Sequence, residues 1–129
     1  MKGNMVPLWL HILGTTMKVI NIKEHMPNSD YAIHLLDEAI HDNKLMDEKV
    51  IIVVHGYGSH GVGGVIKSSV MQHFQKLRKE GKIIDFVQGE HWGDSNELKN
   101  QLCVLYPELI LSSQLYNQNS GVTVVWLQK

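Results

Sequence analysis

The sequence predicts an α/β fold: a two-layer sandwich whose four-stranded mixed sheet follows a βαβαββ order, with a helical insertion before the last strand. Short β-branched runs predict the strands, which we place at Lys18–Ile22, Val50–Val54, Ile83–Val87 and Gly121–Leu127. Segments with apolar residues at helical spacing separate the first three runs. Because strand–helix–strand units are parallel and right-handed, we expect the first strand pairs to be parallel, with the helices packed on the sheet.

The two helices between these strands have start and stop signals. A break at Pro27 and a capping residue, Asn28 or Ser29, precede the first helix. The second helix follows a glycine-rich loop and ends near Gly81. Each helix carries one apolar stripe, formed by Ile33, Leu36 and Ile40 in the first and by Val62, Ile66, Val70, Phe74 and Leu77 in the second. Each stripe predicts one buried face.

The strand at Val50–Val54 is apolar at every position, which favours a central strand that is covered on both faces. The insertion, at about residues 88–120, is too long for a structureless loop. Asp94 and Glu97 form a capping-box pattern there, and apolar residues continue as far as Pro107, so we expect a short helix. We expect residues 17–129 to form one domain and residues 1–16 to be an N-terminal extension or a leader.

The composition limits the classes of function. A chain of 129 residues, 43% of them hydrophobic, is expected to fold around one core. Its net charge of -1 does not exclude nucleic acid, because a cationic patch can exist within a neutral total. Cys103 is the single cysteine, which excludes an intramolecular disulfide and a multi-cysteine zinc site and favours a cytoplasmic location. No apolar run has the length that a membrane helix needs, so no membrane partner is expected.

The glycine-rich loop "HGYGSHGVGG" directly follows the central strand and leads into the second helix. Backbone N–H groups of such a loop and of a helix N-terminus converge on an anion, which is typical of phosphate sites. A nucleotide P-loop is excluded, because Ile66 rather than glycine precedes Lys67 and Ser68. The loop therefore predicts a phosphate site of another kind.

Two other interpretations of the loop stay open. The dinucleotide-binding pattern Gly-x-Gly-x-x-Gly is met by Gly56, Gly58 and Gly61, with Asp85 near the end of the next strand. However, a strand and a helix precede this pattern, which normally occupies the first turn of its domain. The alternative is a tight crossover without a ligand, in which His55 is a buried, hydrogen-bonded side chain.

The order of these motifs resembles that of the small MutS-related domain, the Smr domain. "HGYGSHGVGG" is similar to the family motif His-Gly-x-Gly-x-Gly, and Ser120–Val125, "SGVTVV", is similar to the motif small-Gly-x-Thr-Val-Val in its last strand. The resemblance covers Val19–Leu127. The family's first strand usually ends in Leu-Asp-Leu-His-Gly, whereas here Asn21 replaces the acid, Lys23 the histidine and Glu24 the glycine. One of the two motifs linked to cleavage is thus changed.

The resemblance implies action on nucleic acid, since Smr domains include DNA-nicking and RNA-cleaving members as well as binding modules. The residues are compatible with such chemistry: His55 could take or give a proton, His60 could donate a second proton or contact a phosphate, and Lys23 could stabilise charge on the reacting phosphate. The phosphate-binding residues would be Gly56, Gly58, Gly61, Gly63 and Lys67. We therefore expect a nucleic-acid-binding domain, with DNA-nicking or RNA-cleaving endonuclease activity left open. The alternatives are a small dinucleotide-binding domain and a non-catalytic protein-interaction module.

The segment after the third strand adds two further expectations. Trp92 is a candidate platform on which an unpaired base could stack. Glu90, His91 and Asp94 are all able to bind a metal ion, but no second ligand pair with zinc spacing accompanies them. The sequence therefore predicts no metal ligands and leaves open a divalent cofactor and the oligomeric state.

Overall fold

The computed structural model describes residues 18–24, 28–56, 61–93, 97–111, 115 and 119–129. Within these ranges the strands are β1 (Lys18–Asn21), β2 (Val50–Val54), β3 (Asp85–Gln88) and β4 (Val122–Trp126). The α-helices are α1 (Ser29–Leu45), α2 (Gly61–Lys79) and α3 (Glu97–Leu105), and short 3₁₀ helices, Gly89–His91 and Pro107–Leu111, flank α3. The predicted extension at residues 1–16 lies outside the described residues, as do Gly58, His60 and Asp94.

The sheet has the strand order β1-β2-β4-β3. β1 and β2 are parallel, with Ile20 opposite Val53, while β4 runs antiparallel to both β2 and β3. β1, β2 and β3 therefore point the same way, so their carboxyl ends lie at the same edge of the sheet as the start of β4. This topology confirms the predicted α/β class with a mixed four-stranded sheet.

α1 and α2 pack on one face of the sheet and form what we call the helix-side core. α1 begins where predicted: Asn28 caps it, because its Oδ1 atom accepts a hydrogen bond of 2.8 Å from the N–H of Tyr31. The helices contribute Ala32, Leu36, Ile40, Ile66, Val70, Phe74 and Leu77 to this core, and the sheet contributes Ile51, Val53 and Val125. Six residues of the predicted stripes are thus buried and Ile33 is partly buried against this core, while the side chain of Val62 lies outside the described part of the structure.

β3 begins at Asp85, two residues later than the sequence predicts, because the preceding residues complete the end of α2. The N–H groups of Lys82 and Ile83 both donate to the carbonyl of Leu77. Gly81 has a φ of 76°, which allows the chain to turn there. Ile83 is then buried in the helix-side core, so its apolar character reflects packing beneath the helix end.

The insertion covers the opposite face of the sheet and forms a second, insertion-side core. It contributes Trp92, Leu102, Leu109 and Leu115, and the sheet contributes Val50, Ile52, Val87, Val122 and Val124. β2 therefore alternates between the two cores, which explains why every one of its residues is apolar. The insertion adds a smaller third layer to the predicted pair of layers.

Candidate functional site

Three of the predicted site residues, Lys23, His55 and Gly56, lie at one edge of the sheet, which we call the carboxyl edge. It consists of Asn21–Glu24 after β1, His55–Gly56 after β2, Gly89–His91 after β3, and Asn119–Gly121 before β4. α2 follows the β2 segment and starts at this edge. In α/β sheets such an edge is a common place for ligand binding, because loops from several strands converge there.

His55 is buried at the carboxyl edge, with 1% of its surface exposed. Its Nδ1 atom lies 2.9 Å from the carbonyl oxygen of Gly56, and its Nε2 atom lies 2.8 Å from Oγ1 of Thr123. Because a carbonyl can only accept, Nδ1 carries the hydrogen and donates it to Gly56, which leaves Nε2 to accept from the Thr123 hydroxyl. Both ring nitrogens are therefore hydrogen-bonded inside the protein.

The surroundings of His55 favour the neutral ring. Burial lowers its pKa below the usual value, and the positive charge of Lys67 lowers the pKa further. The hydrogen bond to the Gly56 carbonyl and the negative charge of Glu90 act in the opposite direction. The catalytic role predicted for His55 stays a prediction, whereas the geometry gives the residue a positioning role, since its ring links the Gly56 carbonyl to the Thr123 side chain of β4.

Gly56 makes the turn that leads from β2 into the loop. Its φ of 90° lies in the region that favours glycine. The N–H groups of His55 and Gly56 both donate to the carbonyl of Gly121, at 2.9 and 3.0 Å. The Gly56 N–H is thus bonded to the protein, so binding of phosphate by backbone groups depends on the residues that follow. The backbone of Gly61 and Gly63 lies in the first turn of α2, where N–H groups have no carbonyl partner within the helix.

Asn21 and Lys23 form the part of the edge that follows β1. The Oδ1 atom of Asn21 accepts hydrogen bonds from the N–H groups of Lys23 and Glu24, at 2.9 and 3.0 Å, which fixes the turn. The Lys23 side chain is exposed and lies across Gly56, where a Cβ atom would be 3.4 Å from its Cδ atom. The structure therefore brings Lys23 beside the residue that follows His55, as parallel pairing of β1 and β2 requires.

Lys67 forms an ion pair with Glu90 across the carboxyl edge. Its Nζ atom lies 2.7 Å from Oε1 of Glu90, and the two side chains are 17% and 37% exposed. The two charges act on the pKa of His55 in opposite directions, since Lys67 lowers it and Glu90 raises it. Gly89 fixes the backbone before Glu90, because a Cβ atom there would overlap the carbonyl oxygen of Asn119. In the sequence Glu90 is recognisable only as a candidate metal ligand. No sequence pattern indicates that it pairs with the distant Lys67.

Two aromatic side chains, Trp92 and Tyr31, differ in their exposure to solvent. Trp92 is 7% exposed, packs in the insertion-side core and has the Lys99 ammonium 5.9 Å from its ring centre. A base could stack on it only if the ring left the core, so that role stays a prediction. Tyr31, in the first turn of α1, is exposed and stacks on His34 with 6.1 Å between ring centres. A sequence pattern alone does not distinguish such an exposed pair from a packed one.

Away from the carboxyl edge, the described residues form a groove but no metal site. No group of three or more histidine, cysteine, aspartate or glutamate side chains in those ranges is arranged to hold a metal ion. A groove of about 450 Å³ lies between α1 and α2, where Nε2 of His73 is 2.6 Å from Oδ1 of Asp37, but it is built from the helices rather than the carboxyl edge. None of the helices described is long and apolar enough to cross a membrane.

Comparison with known proteins agrees with this fold. The family model described as the Smr domain matches residues 24–96, which is more than half of the chain. The crystal structure of the Smr domain of Thermus thermophilus MutS2 is similar, with a TM-score of 0.53 and 15% sequence identity over 88% of this chain and 100% of that one. No curated protein sequence matches this chain. The structural match supports the fold, and the family match covers β2, α2 and the glycine-rich loop.

Proposed function

This chain belongs to the Smr domain family, and on that basis we propose that it binds nucleic acid at the carboxyl edge of its sheet. The observation that carries the proposal is that Lys23 lies against Gly56 and Lys67 pairs with Glu90, both partners being residues of that edge, while α2 begins five residues after Gly56. Helix N-termini attract anions through free N–H groups and the helix dipole. Lysine side chains beside such a terminus are suited to phosphate groups of a nucleic-acid backbone.

The geometry favours binding over cutting. Cleavage of a phosphodiester needs a proton donor or acceptor that reaches the reacting oxygen atoms. Both nitrogens of His55 are bonded to Gly56 and Thr123, and the ring is buried. Lys23 also stands where the family usually has a histidine. Roles for His60 and Gly58 in the loop stay predictions, since both lie outside the described residues.

Binding is tested with short labelled RNA and DNA across a salt series. We expect the affinity to fall steeply with salt, because counterions leave the phosphates when lysines bind them. Lys23→Ala should weaken binding and reduce the slope of log affinity against log salt by about one. Lys76→Ala is the matched control, because Lys76 is also an exposed lysine without a salt-bridge partner in the described ranges but lies in the last turn of α2.

The outcomes separate the competing functions. Absence of binding to RNA and to DNA at low salt would overturn the proposal. Saturable binding of NAD would instead favour the dinucleotide-binding alternative. We also expect the wild-type protein to leave supercoiled DNA and RNA uncut; cutting that is lost in His55→Gln but kept in Lys76→Ala would assign His55 a catalytic role.

A further inference from the structure

Of the two lysines in the proposed site, Lys67 forms an ion pair among the described residues. Its partner, Glu90, belongs to a different element. Glu90 follows β3, whereas Lys67 lies in α2, and their ion pair of 2.7 Å joins these two elements. The pair is only partly exposed, so water screens it less than it screens a surface pair. The charge of Lys67 that would attract a phosphate is therefore already compensated by a carboxylate.

We propose that Glu90 is an internal competitor for phosphate: its carboxylate holds Lys67 in the free protein, and a backbone phosphate of the nucleic acid displaces it. This inference rests on the proposed function and assigns the regulation of that site. Displacement replaces one charge-assisted hydrogen bond of the ammonium by another, so Lys67 keeps a partner in both states. Glu90 thereby lowers the affinity for any single phosphate and favours ligands that make further contacts along the edge.

The position of Glu90 supports this competition because its backbone is held firmly. Gly89 packs so closely on the turn before β4 that a Cβ atom would overlap the Asn119 carbonyl, and the 3₁₀ helix starts there. The carboxylate is therefore presented from a fixed point, while the Lys67 side chain has several rotatable bonds. A lysine of this kind can turn from the carboxylate to a phosphate without a movement of α2 or of the sheet.

The test is Glu90→Gln, which removes the charge but keeps an oxygen that can accept from Lys67. We expect it to bind labelled oligonucleotide about fivefold more tightly than wild type at low salt. In a Lys67→Ala background the same substitution should change affinity little, because the competitor then has no cation to release. Glu80→Gln is the matched control: Glu80 pairs with Lys82 at 3.3 Å beyond the end of α2, so its loss should leave binding unchanged.

The results distinguish competition from a purely structural ion pair. If Glu90→Gln binds no more tightly than wild type, or if the gain persists in the Lys67→Ala background, the inference is overturned while nucleic-acid binding stands. Absence of binding by both wild type and Glu90→Gln overturns the inference together with the proposed function. Thermal unfolding of each variant is measured alongside, and an affinity gain in a protein that unfolds at the wild-type temperature supports displacement.

Discussion

His55 is held by three partners, one adjacent in the chain and two at the start of β4. Its ring bonds to the neighbouring Gly56 carbonyl and to the Thr123 hydroxyl, and its N–H donates to Gly121. The sequence places His55 at the end of a buried strand and Thr123 in the last strand. It does not pair them, because that pairing depends on the register of β2 with β4, in which Val53 lies opposite Thr123. The structure shows the burial and hydrogen bonds of His55 and does not bear on ligand binding by the loop.

At the residue scale, burial of His55 makes stability depend on pH. Its folded-state pKa is lowered, whereas the unfolded chain takes up the proton near pH 6.5. The unfolded state thus binds more protons, so the free energy of unfolding falls as pH drops below about 6.5 and levels off below the folded-state pKa. We expect His55→Gln to remove this contribution.

The contribution of His55 to the free energy of unfolding is measured by urea unfolding of wild type and His55→Gln between about pH 7.5 and 5.5. The difference between the two proteins isolates His55 from the other histidines. We expect that difference to be largest at pH 7.5 and to shrink towards acid. A difference that stays constant with pH would show that burial does not suppress protonation of His55.

The sequence predicts helix ends best where capping or helix-breaking residues mark them. Asn28 caps α1 and α3 ends before Pro107, as the sequence predicts, whereas Asp94 of the predicted capping box lies outside the described residues. These signals lie within a few residues of the feature that they mark. No local pattern shows where the insertion packs. The apolar run Val50–Val54 indicates only that both faces of its strand are covered. Identifying α3 as that cover requires the tertiary structure.

At the scale of elements, α3 is a packing layer with one buried and one exposed side. Leu102 is fully buried in the insertion-side core, whereas Val104 is 80% exposed. We expect Leu102→Ala to lower the free energy of unfolding by about 2 to 5 kcal/mol, since it leaves a cavity. Val104→Ala is the control on the same helix and should change it by less than about 0.5 kcal/mol.

Chemical denaturation of both variants checks this prediction. Similar values for Leu102→Ala and Val104→Ala would mean that the insertion contributes little to the fold. The larger effect at Leu102 would show that a segment read from the sequence as an insertion is part of the structural core. Alanine is a good helix former, so neither effect would come from loss of helix propensity.

On the scale of the whole molecule, the two cores share one sheet. β2 and β4 send alternate residues to opposite faces: Ile51, Val53 and Val125 to the helix-side core, and Ile52, Val122 and Val124 to the insertion-side core. If either layer detached from the sheet, apolar residues of both β2 and β4 would be exposed to water on that face. This coupling follows from strand order and register, which depend on contacts between distant segments and so were only partly predictable.

We therefore expect the two layers to unfold together in a single transition. Far-UV circular dichroism reports mainly on α1 and α2, while Trp92 and Trp126 both belong to the insertion-side core and report on it by fluorescence. Trp9 is replaced by Phe so that its emission does not contribute. Because the shared sheet couples the cores, the two signals should have coincident midpoints on heating. A fluorescence midpoint several degrees below the dichroism midpoint would show that the insertion-side layer melts first, and would limit the cooperative unit to the sheet with α1 and α2.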